Sequence, residues 1–207
     1  MMDRLDREKS RIPSDLAEDV SRVRQLRVAV LNEFRRFSEQ RIEATRIRCH
    51  GDCNLHQVLS TGKDYVFIDF EGRPDLSVGE RRLKRSPLRD VVSLVRSFDY
   101  AAEATLFGLE SGRGRATGVI RDEDRPALSL WARAWRLWMH DAFLQGYLTT
   151  CAGASFLPSD AESRNALFRI FLLERLLSET AGELRKRPLW IRIPLAGLLE
   201  ALSTAAS

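Results

Sequence analysis

The chain has 207 residues, 44% hydrophobic and 30% charged, enough apolar material for one buried core with room for an appended helical segment, and far from the composition of a disordered chain. Its 33 Lys and Arg stand against 29 Asp and Glu, interspersed to a net charge of +4, and its short basic cluster (Arg81, Arg82, Lys84, Arg85) follows a carboxylate, Glu80, so no nucleic-acid partner is expected. No stretch approaches the roughly 20 apolar residues of a membrane span, Met1–Ser14 lacks the apolar run of a signal peptide, and three cysteines cannot staple a chain of this size, so the expectation is a cytoplasmic protein with reduced thiols and no membrane partner.

From Ser14 the apolar residues Leu16, Val20, Val23, Val30, Phe34 and Phe37 recur at steps of three and four or their sums, which predicts one amphipathic helix. Asp15, with Glu18 three residues on, is placed to close a capping box at its start. The period then changes. Gln57-Val58-Leu59-Ser60 and Tyr65-Val66-Phe67-Ile68 flank Thr61-Gly62-Lys63-Asp64, which predicts a β-hairpin. Asp69 to Arg85, polar and carrying glycines and Pro74, reads as a loop.

Ser86-Pro87 opens a second helix, with Ser as cap and Pro in the first turn, and Leu88, Val91, Val92, Val95, Phe98 and Ala102 form its apolar face. Gly108 to Gly118 is a glycine-rich loop, and helices follow at roughly 124–149 and 160–186. Trp131, Trp135 and Trp138 sit at helical steps of four and three on an apolar face; a ligand-binding box is one reading, and core packing is the better one. The tail from Arg187 through Pro194 is irregular and leads into a short final helix.

The chemistry concentrates around the hairpin. His50-Gly51-Asp52 precedes it, Gln57 stands where the first strand begins, and Ile68-Asp69-Phe70-Glu71-Gly72 follows the second. Two strands that fold back return the chain to its starting level, so Gln57 and Asp69 can face one point although a dozen residues separate them. A carboxylate and an amide oxygen suit Mg²⁺, a hard cation, better than sulfur or imidazole would. Asp52 then stands as the acid that accepts the proton of an attacking hydroxyl, the third group that phosphoryl transfer requires.

The order His-x-Asp, amide, hairpin, Asp-Phe-x-Gly resembles the catalytic and metal loops of the aminoglycoside-phosphotransferase branch of the protein-kinase-like fold. Gln57-Val58-Leu59, Glu80 through Val91, Arg96-Ser97-Phe98-Asp99-Tyr100-Ala101-Ala102, Phe171-Leu172-Leu173-Glu174 and Arg187 through Pro194 are similar to bacterial maltokinases, which also occur fused to trehalose synthase. The resemblance implies an α+β, predominantly helical, kinase-like C-lobe with a small β-hairpin carrying the catalytic loop (48–57) and the metal loop (68–72). A lead-in helical segment, 1–43, would precede the lobe at 44–207, whose helical subdomain would run over 86–207. It also implies ATP and Mg²⁺ as cofactors and phosphorylation of maltose, or a related sugar, at the anomeric hydroxyl. Asp90 resembles the carboxylate that holds the catalytic loop through backbone N–H groups, and His50 a support packed behind Asp52. A first-turn aspartate that merely favours the helix dipole is the plainer alternative for Asp90.

The chain departs from that family in three places. No glycine precedes Gly51 and the only earlier lysine is Lys9, whereas a kinase N-lobe needs a glycine-rich turn and a strand-borne lysine on the phosphates. The expectation is therefore a chain that begins inside the C-lobe, with the N-lobe absent or supplied by another chain. Cys53, Asn54 and His56 stand where the family carries Tyr, His and Gly, and Ser178 and Gly182 replace two tyrosines near its sugar subsite. Glu179, Glu183 and Trp190 remain as candidate sugar contacts, although charged residues on a helix commonly form only a solvated face. Two alternatives stay open: a folded, non-catalytic kinase-like remnant or interaction module, and a zinc module using Cys49, His50, Cys53 and His56, whose crowding into one short stretch argues against it.

Overall fold

A computed structural model describes residues 1–74, 76–110, 114–115 and 120–203. In chain order the elements are α1 (Met2–Arg7), α2 (Ala17–Gln25), α3 (Arg27–Ser38), β1 (Val58–Ser60), β2 (Tyr65–Phe67), α4 (Val78–Arg82), α5 (Leu88–Phe107), β3 (Leu109–Glu110), β4 (Gly114–Arg115), α6 (Arg125–Thr150), α7 (Ala161–Lys186) and α8 (Arg192–Ser203), with short 3₁₀ turns between several of them. The chain is thus predominantly helical, with two small antiparallel ladders, β1–β2 and β3–β4. Among the described residues no helix is long and apolar enough to cross a membrane.

Packing groups the chain into two compact units: Met1–Arg41 with Phe107–Thr117 and Arg169–Ser207, and Ile42–Leu106 with Gly118–Phe168. The core of the first joins Leu5, Leu16, Val20, Val23 and Val30 to α7 and α8 residues such as Leu173, Leu176, Leu195 and Leu198. The predicted apolar stripe from Leu16 to Val30 does face this core, but it belongs to two helices. Leu26 leaves helical geometry at ψ 2°, and its N–H is shared between the carbonyls of Arg22 and Val23. Leu26, at the break, still packs against this core, so the stripe stays continuous across the two helices.

The predicted capping box is also absent. A 3₁₀ turn over Ser14–Leu16 puts Asp15 inside the turn, α2 starts from Leu16 without a side-chain cap, and Asp15 pairs with Arg192 at 3.0 Å. A capping box does form where a loop was predicted: the Ser77 side chain accepts from the Glu80 N–H while the Glu80 carboxylate accepts from the Ser77 N–H, opening α4. The Ser-x-x-Glu spacing is the sequence signature of that motif. Of the glycine-rich loop expected at Gly108 to Gly118, residues 111–113 and 116–119 lie outside the described residues; the remainder pairs Leu109 with Arg115 and Glu110 with Gly114.

In the second unit α5 begins where Ser86-Pro87 predicts, but the serine hydroxyl does not cap it. The Ser86 and Pro87 carbonyls accept from Arg89, Asp90 and Val91, and the Ser86 Oγ is buried without a partner. Leu88, Val91, Val92, Val95 and Phe98 are buried as expected, and so are Arg96 (2% exposed) and Asp99 (3%). Arg96 bonds Asp99 within α5, while from α6 the Arg136 guanidinium approaches the Asp99 carboxylate at 3.4 Å and His140 Nε2 at 2.9 Å. α6 therefore turns its Arg136, His140 and Phe143 side toward α5, with Phe143 and Phe98 rings 6.1 Å apart. That orientation overturns the core reading of two tryptophans: Trp131 is 76% and Trp138 68% exposed, and only Trp135 reaches Phe98, edge-on at 6.4 Å.

Burial alone would push the Asp99 carboxyl up; the adjoining His140 ring and the Arg96 and Arg136 charges outweigh it and hold the group below its ordinary range. A depressed folded-state pKa stabilises the fold above the unfolded value of about 3.9, and the contribution is lost as pH falls through the folded one. Asp99→Asn, which leaves buried guanidinium charge uncompensated, is expected to cost about 3–5 kcal/mol at pH 7. Thermal unfolding against pH checks it: the gap between wild type and variant should narrow in acid, and a gap that stays constant contradicts the assignment.

Candidate functional site

The hairpin register pairs Val58 with Phe67, Leu59 with Val66 and Ser60 with Tyr65. Its turn is tied by Thr61, whose N–H and hydroxyl both donate to the Asp64 carbonyl, with Gly62 at φ +83°. One step beyond the ladder the Ile68 N–H donates to the Gln57 carbonyl at 3.0 Å, so the strands remain paired down to the residues on either side of the chemistry. Asp69 then sits at φ +61°, the one non-glycine residue in the left-handed region among those described. Aspartate tolerates that region better than branched residues, and such outliers concentrate at functional sites. The turn brings its carboxylate back to the foot of the hairpin, where Oδ2 accepts from Gln57 Nε2 at 2.9 Å.

The preceding loop is held from below by α5. Asp90, in its first turn, accepts from two consecutive backbone N–H groups, His50 at 2.6 Å and Gly51 at 3.0 Å. These bonds go beyond a helix-dipole role, because each carboxylate oxygen has its own donor. The His50 ring links the two loops. Its Nε2 meets the Ile68 carbonyl at 2.8 Å, and a carbonyl can only accept, so Nε2 carries the hydrogen; Nδ1 is then the acceptor facing the Asp52 N–H at 3.4 Å. The Phe70 ring lies 4.7 Å from it. Both ring nitrogens of His50 are thus engaged by backbone groups.

Two glycines let the loops touch. A Cβ on Gly51 (φ +85°) would stand 3.3 Å from the Gly72 Cα, and one on Gly72 (φ +76°) would stand 3.4 Å from the His50 carbonyl oxygen. Both positions combine the left-handed region with close backbone approach, the two conditions that favour glycine. Three residues outside the sequence-based set complete the scaffold. Asn54 donates to the Asp52 carbonyl at 2.9 Å and accepts from the His56 N–H at 3.0 Å, opening the 3₁₀ turn that delivers Gln57. Ser97 accepts from the Leu55 N–H at 3.2 Å, and Arg81 donates to the Glu71 carbonyl at 3.3 Å while its stem lies beside Gly72. Arg81 and Ser97 stand in stretches that carry the family resemblance and Asn54 in the loop motif, but no spacing of residues assigns them these partners.

Asp52 itself is half-buried on this loop, Gln57 is half-buried and Asp69 exposed. The residue types suit Mg²⁺, which takes a carboxylate and an amide oxygen with phosphate and water in the remaining positions, but here the Gln57 amide turns its N–H₂ to Asp69 and would have to turn over to offer Oε1 beside it. Among the described residues no three His, Cys, Asp or Glu side chains converge on a point. The zinc alternative meets engaged groups instead, with His50 bonded through both nitrogens and the Cys49 thiol directed at the Arg85 and Ile47 carbonyls. Burial, then the Asp90 and Asp52 charges, pushes the Cys53 thiol up to about 12.

Glu179, Glu183 and Trp190 belong to the other compact unit. There Glu179 pairs with Arg175 at 2.8 Å, Glu183 with Arg187 at 2.6 Å, and the Arg187 guanidinium covers the Trp190 ring at 4.2 Å. All three side chains are engaged within their own unit.

No family model matches the chain. Among solved structures it is similar to glucosamine kinase in crystal form B (22% identity, TM-score 0.70, covering 98% of this chain and 43% of that one) and in crystal form A (22%, 0.71, 99% and 45%). Glucosamine kinase in complex with glucosamine, ADP and inorganic phosphate is similar at 20% identity and TM-score 0.71, over 99% of this chain and 46% of that one. The chain spans less than half the length of these kinases. At such identities the likeness shows the fold: a mostly helical, kinase-like C-lobe with a small antiparallel hairpin.

Because its thiol is held at about 12, Cys53 should resist alkylation at pH 8 far more than a free cysteine of pKa about 8.5. Asp90→Ala removes one of the charges and the anchor of the loop, and should accelerate labelling at Cys53 by roughly tenfold or more. Peptide mapping after timed iodoacetamide exposure measures it; equal rates in wild type and variant contradict the anchoring role.

Proposed function

We propose that this chain is the phosphoryl-transfer half of an ATP-dependent sugar kinase. The observation that carries the reading is the Gln57–Asp69 contact at the foot of the hairpin, beside a loop whose backbone is held by Asp90. The kinase-like fold supports it, as does the nature of the groups, since phosphoryl transfer asks the protein mainly to position reactants and offset charge.

Asp69 and Gln57 would hold Mg²⁺, which when bound offsets the negative charge on the phosphates. Asp52 accepts the proton of the sugar hydroxyl as that oxygen bonds to the γ-phosphorus and the bond to the ADP oxygen breaks, giving sugar phosphate and ADP. His50 and Asp90 keep Asp52 in place. The family resemblance points to maltose at its anomeric hydroxyl as acceptor. Contacts from Glu179, Glu183 or Trp190 to that sugar would require them to exchange their present arginine partners.

Nucleotide contacts of the kind a glycine-rich turn and a strand lysine provide are not among this chain's motifs, so we assign them to a separate N-lobe. The hairpin offers a place for it to pack, because Leu59, Tyr65, Val66, Phe67 and the adjoining Phe70 are all exposed.

The chain alone is expected to show negligible phosphorylation of maltose with ATP and Mg²⁺. Joined to a nucleotide-binding N-lobe it should turn over, and Asp52→Ala or Asp69→Ala in that fusion should lower kcat by roughly 10²-fold or more. Coupled ADP-release assays with maltose, glucose and glucosamine identify the acceptor. Robust turnover by the chain alone would overturn the two-part reading, and unchanged rates in either variant would overturn the roles of these acids.

A further inference from the structure

Four residues and no strand stand between Asp52 and Gln57. Among them is Asn54, whose side chain is used at both ends. Its Nδ2 donates to the Asp52 carbonyl at 2.9 Å, and its Oδ1 accepts from the His56 N–H at 3.0 Å. A carbonyl can only accept and a backbone N–H can only donate, so the two partners fix which way the amide faces. The Asn54 backbone carbonyl then accepts from the Gln57 N–H at 2.9 Å. Extended backbone at φ −151° and ψ 171° makes Asn54 the residue from which the 3₁₀ turn Leu55–Gln57 starts.

Capping that turn requires only the acceptor, a task that Asn, Asp and Ser perform about equally well. The bond to the Asp52 carbonyl is no part of it. Asn carries its donor and its acceptor on separate atoms of one plane, whereas Asp has no donor when ionised and Ser has both on a single atom of shorter reach. We propose that Asn54 is a positioning residue that ties the backbone of Asp52 to that of Gln57, so that the acid meeting the sugar hydroxyl and the amide meeting the cation keep one fixed spacing. The proposal rests on the sugar-kinase reading of those two residues. Asp90 and Ser97 fasten the loop to α5 through the His50, Gly51 and Leu55 N–H groups. The interval from Asp52 to the start of the hairpin is the part that the Asn54 side chain crosses.

Two variants separate this role from capping. A residue that only capped the turn could be replaced by Ser or by Asp with little effect. A tether is lost in Asn54→Ser, which keeps the cap, and is reversed in Asn54→Asp, which sets a carboxylate oxygen against the Asp52 carbonyl with no hydrogen between them. In the fusion with a nucleotide-binding N-lobe, kcat should fall by roughly tenfold in Asn54→Ser and further in Asn54→Asp. The sugar KM should stay nearly constant, since misplaced reacting groups act on the transition state. Timed iodoacetamide labelling of the chain alone, followed by peptide mapping, reads the tether without turnover. Cys53, buried and next to both Asp52 and Asn54 in sequence, should label roughly fivefold faster or more in Asn54→Ser, while Cys49 and Cys151 keep their wild-type rates. Unchanged kcat in Asn54→Asp or an unchanged Cys53 rate overturns the proposal. Equal acceleration at all three cysteines also overturns it, because that marks a general loosening of the fold. A wild-type fusion that phosphorylates no sugar removes the sugar-kinase reading instead, and the Cys53 rate then decides the tether by itself.

Discussion

The bidentate grip of the Asp90 carboxylate on the His50 and Gly51 N–H groups is the contact from which the rest of the site follows. A surface loop does not bury its own backbone in a sheet, so its N–H groups need partners elsewhere. Asp90 supplies them from the first turn of a helix whose next two turns are buried nearly all round, and a charge-assisted bond to each N–H is stronger than a neutral one. Once that backbone is set, the His50 ring reaches the Ile68 carbonyl, Gly51 meets Gly72, and Asp69 falls beside Gln57. Position passes from helix to loop to loop through side chains that bond backbone groups, the Asp90 carboxylate to the His50 and Gly51 N–H groups and the His50 ring to the Ile68 carbonyl.

The same helix holds a second acid to a different end. Asp99 lies deep in the second unit, facing Arg96 on its own helix and Arg136 and His140 on α6. Burying a carboxylate is unfavourable unless its charge is answered, and here the answer comes from the neighbouring helix, which fixes the side of α6 that turns inward. α5 thus carries an acid in its first turn for the loop and another in its interior for its packing partner. The apolar residues between them, Val91, Val92, Leu94 and Val95, are buried and keep the two in one rigid element. We take this to be why the chain tolerates charged residues where periodicity alone would place only apolar ones.

Much of this arrangement was legible in the residues. Alternation and a glycine-bearing turn imply a hairpin, and a hairpin necessarily returns Asp69 to the level of Gln57, so their meeting was a consequence of chain geometry. The Asp90 contact spans forty residues and came only through likeness to a known pattern. Other features are legible only against their surroundings: the Ser77–Glu80 capping box carries its Ser-x-x-Glu signature inside a stretch whose glycines and proline otherwise signal a loop. The break at Leu26 was not readable, because a stripe of Leu16, Val20, Val23 and Val30 fits one helix as well as two. The Ser97 hydroxyl and the Arg81 guanidinium reach backbone atoms ten or more residues away, and no local pattern encodes such partners.

The tryptophans of α6 show why periodicity can identify a face without saying what it meets. Steps of four and three place Trp131, Trp135 and Trp138 on one side of a helix whether that side packs within the chain or against something else, so spacing supports core and interface equally. What separates the two is the opposite side of the helix, where Arg136 and His140 look too polar to be inward-facing until the Asp99 carboxylate is known to await them. A buried acid on one helix therefore reversed the apparent polarity of the next. Once Arg136 and His140 are held inward, the Trp131 and Trp138 indoles face out while Trp135, at the margin, still reaches Phe98, and apolar surface left in water carries a standing free-energy cost.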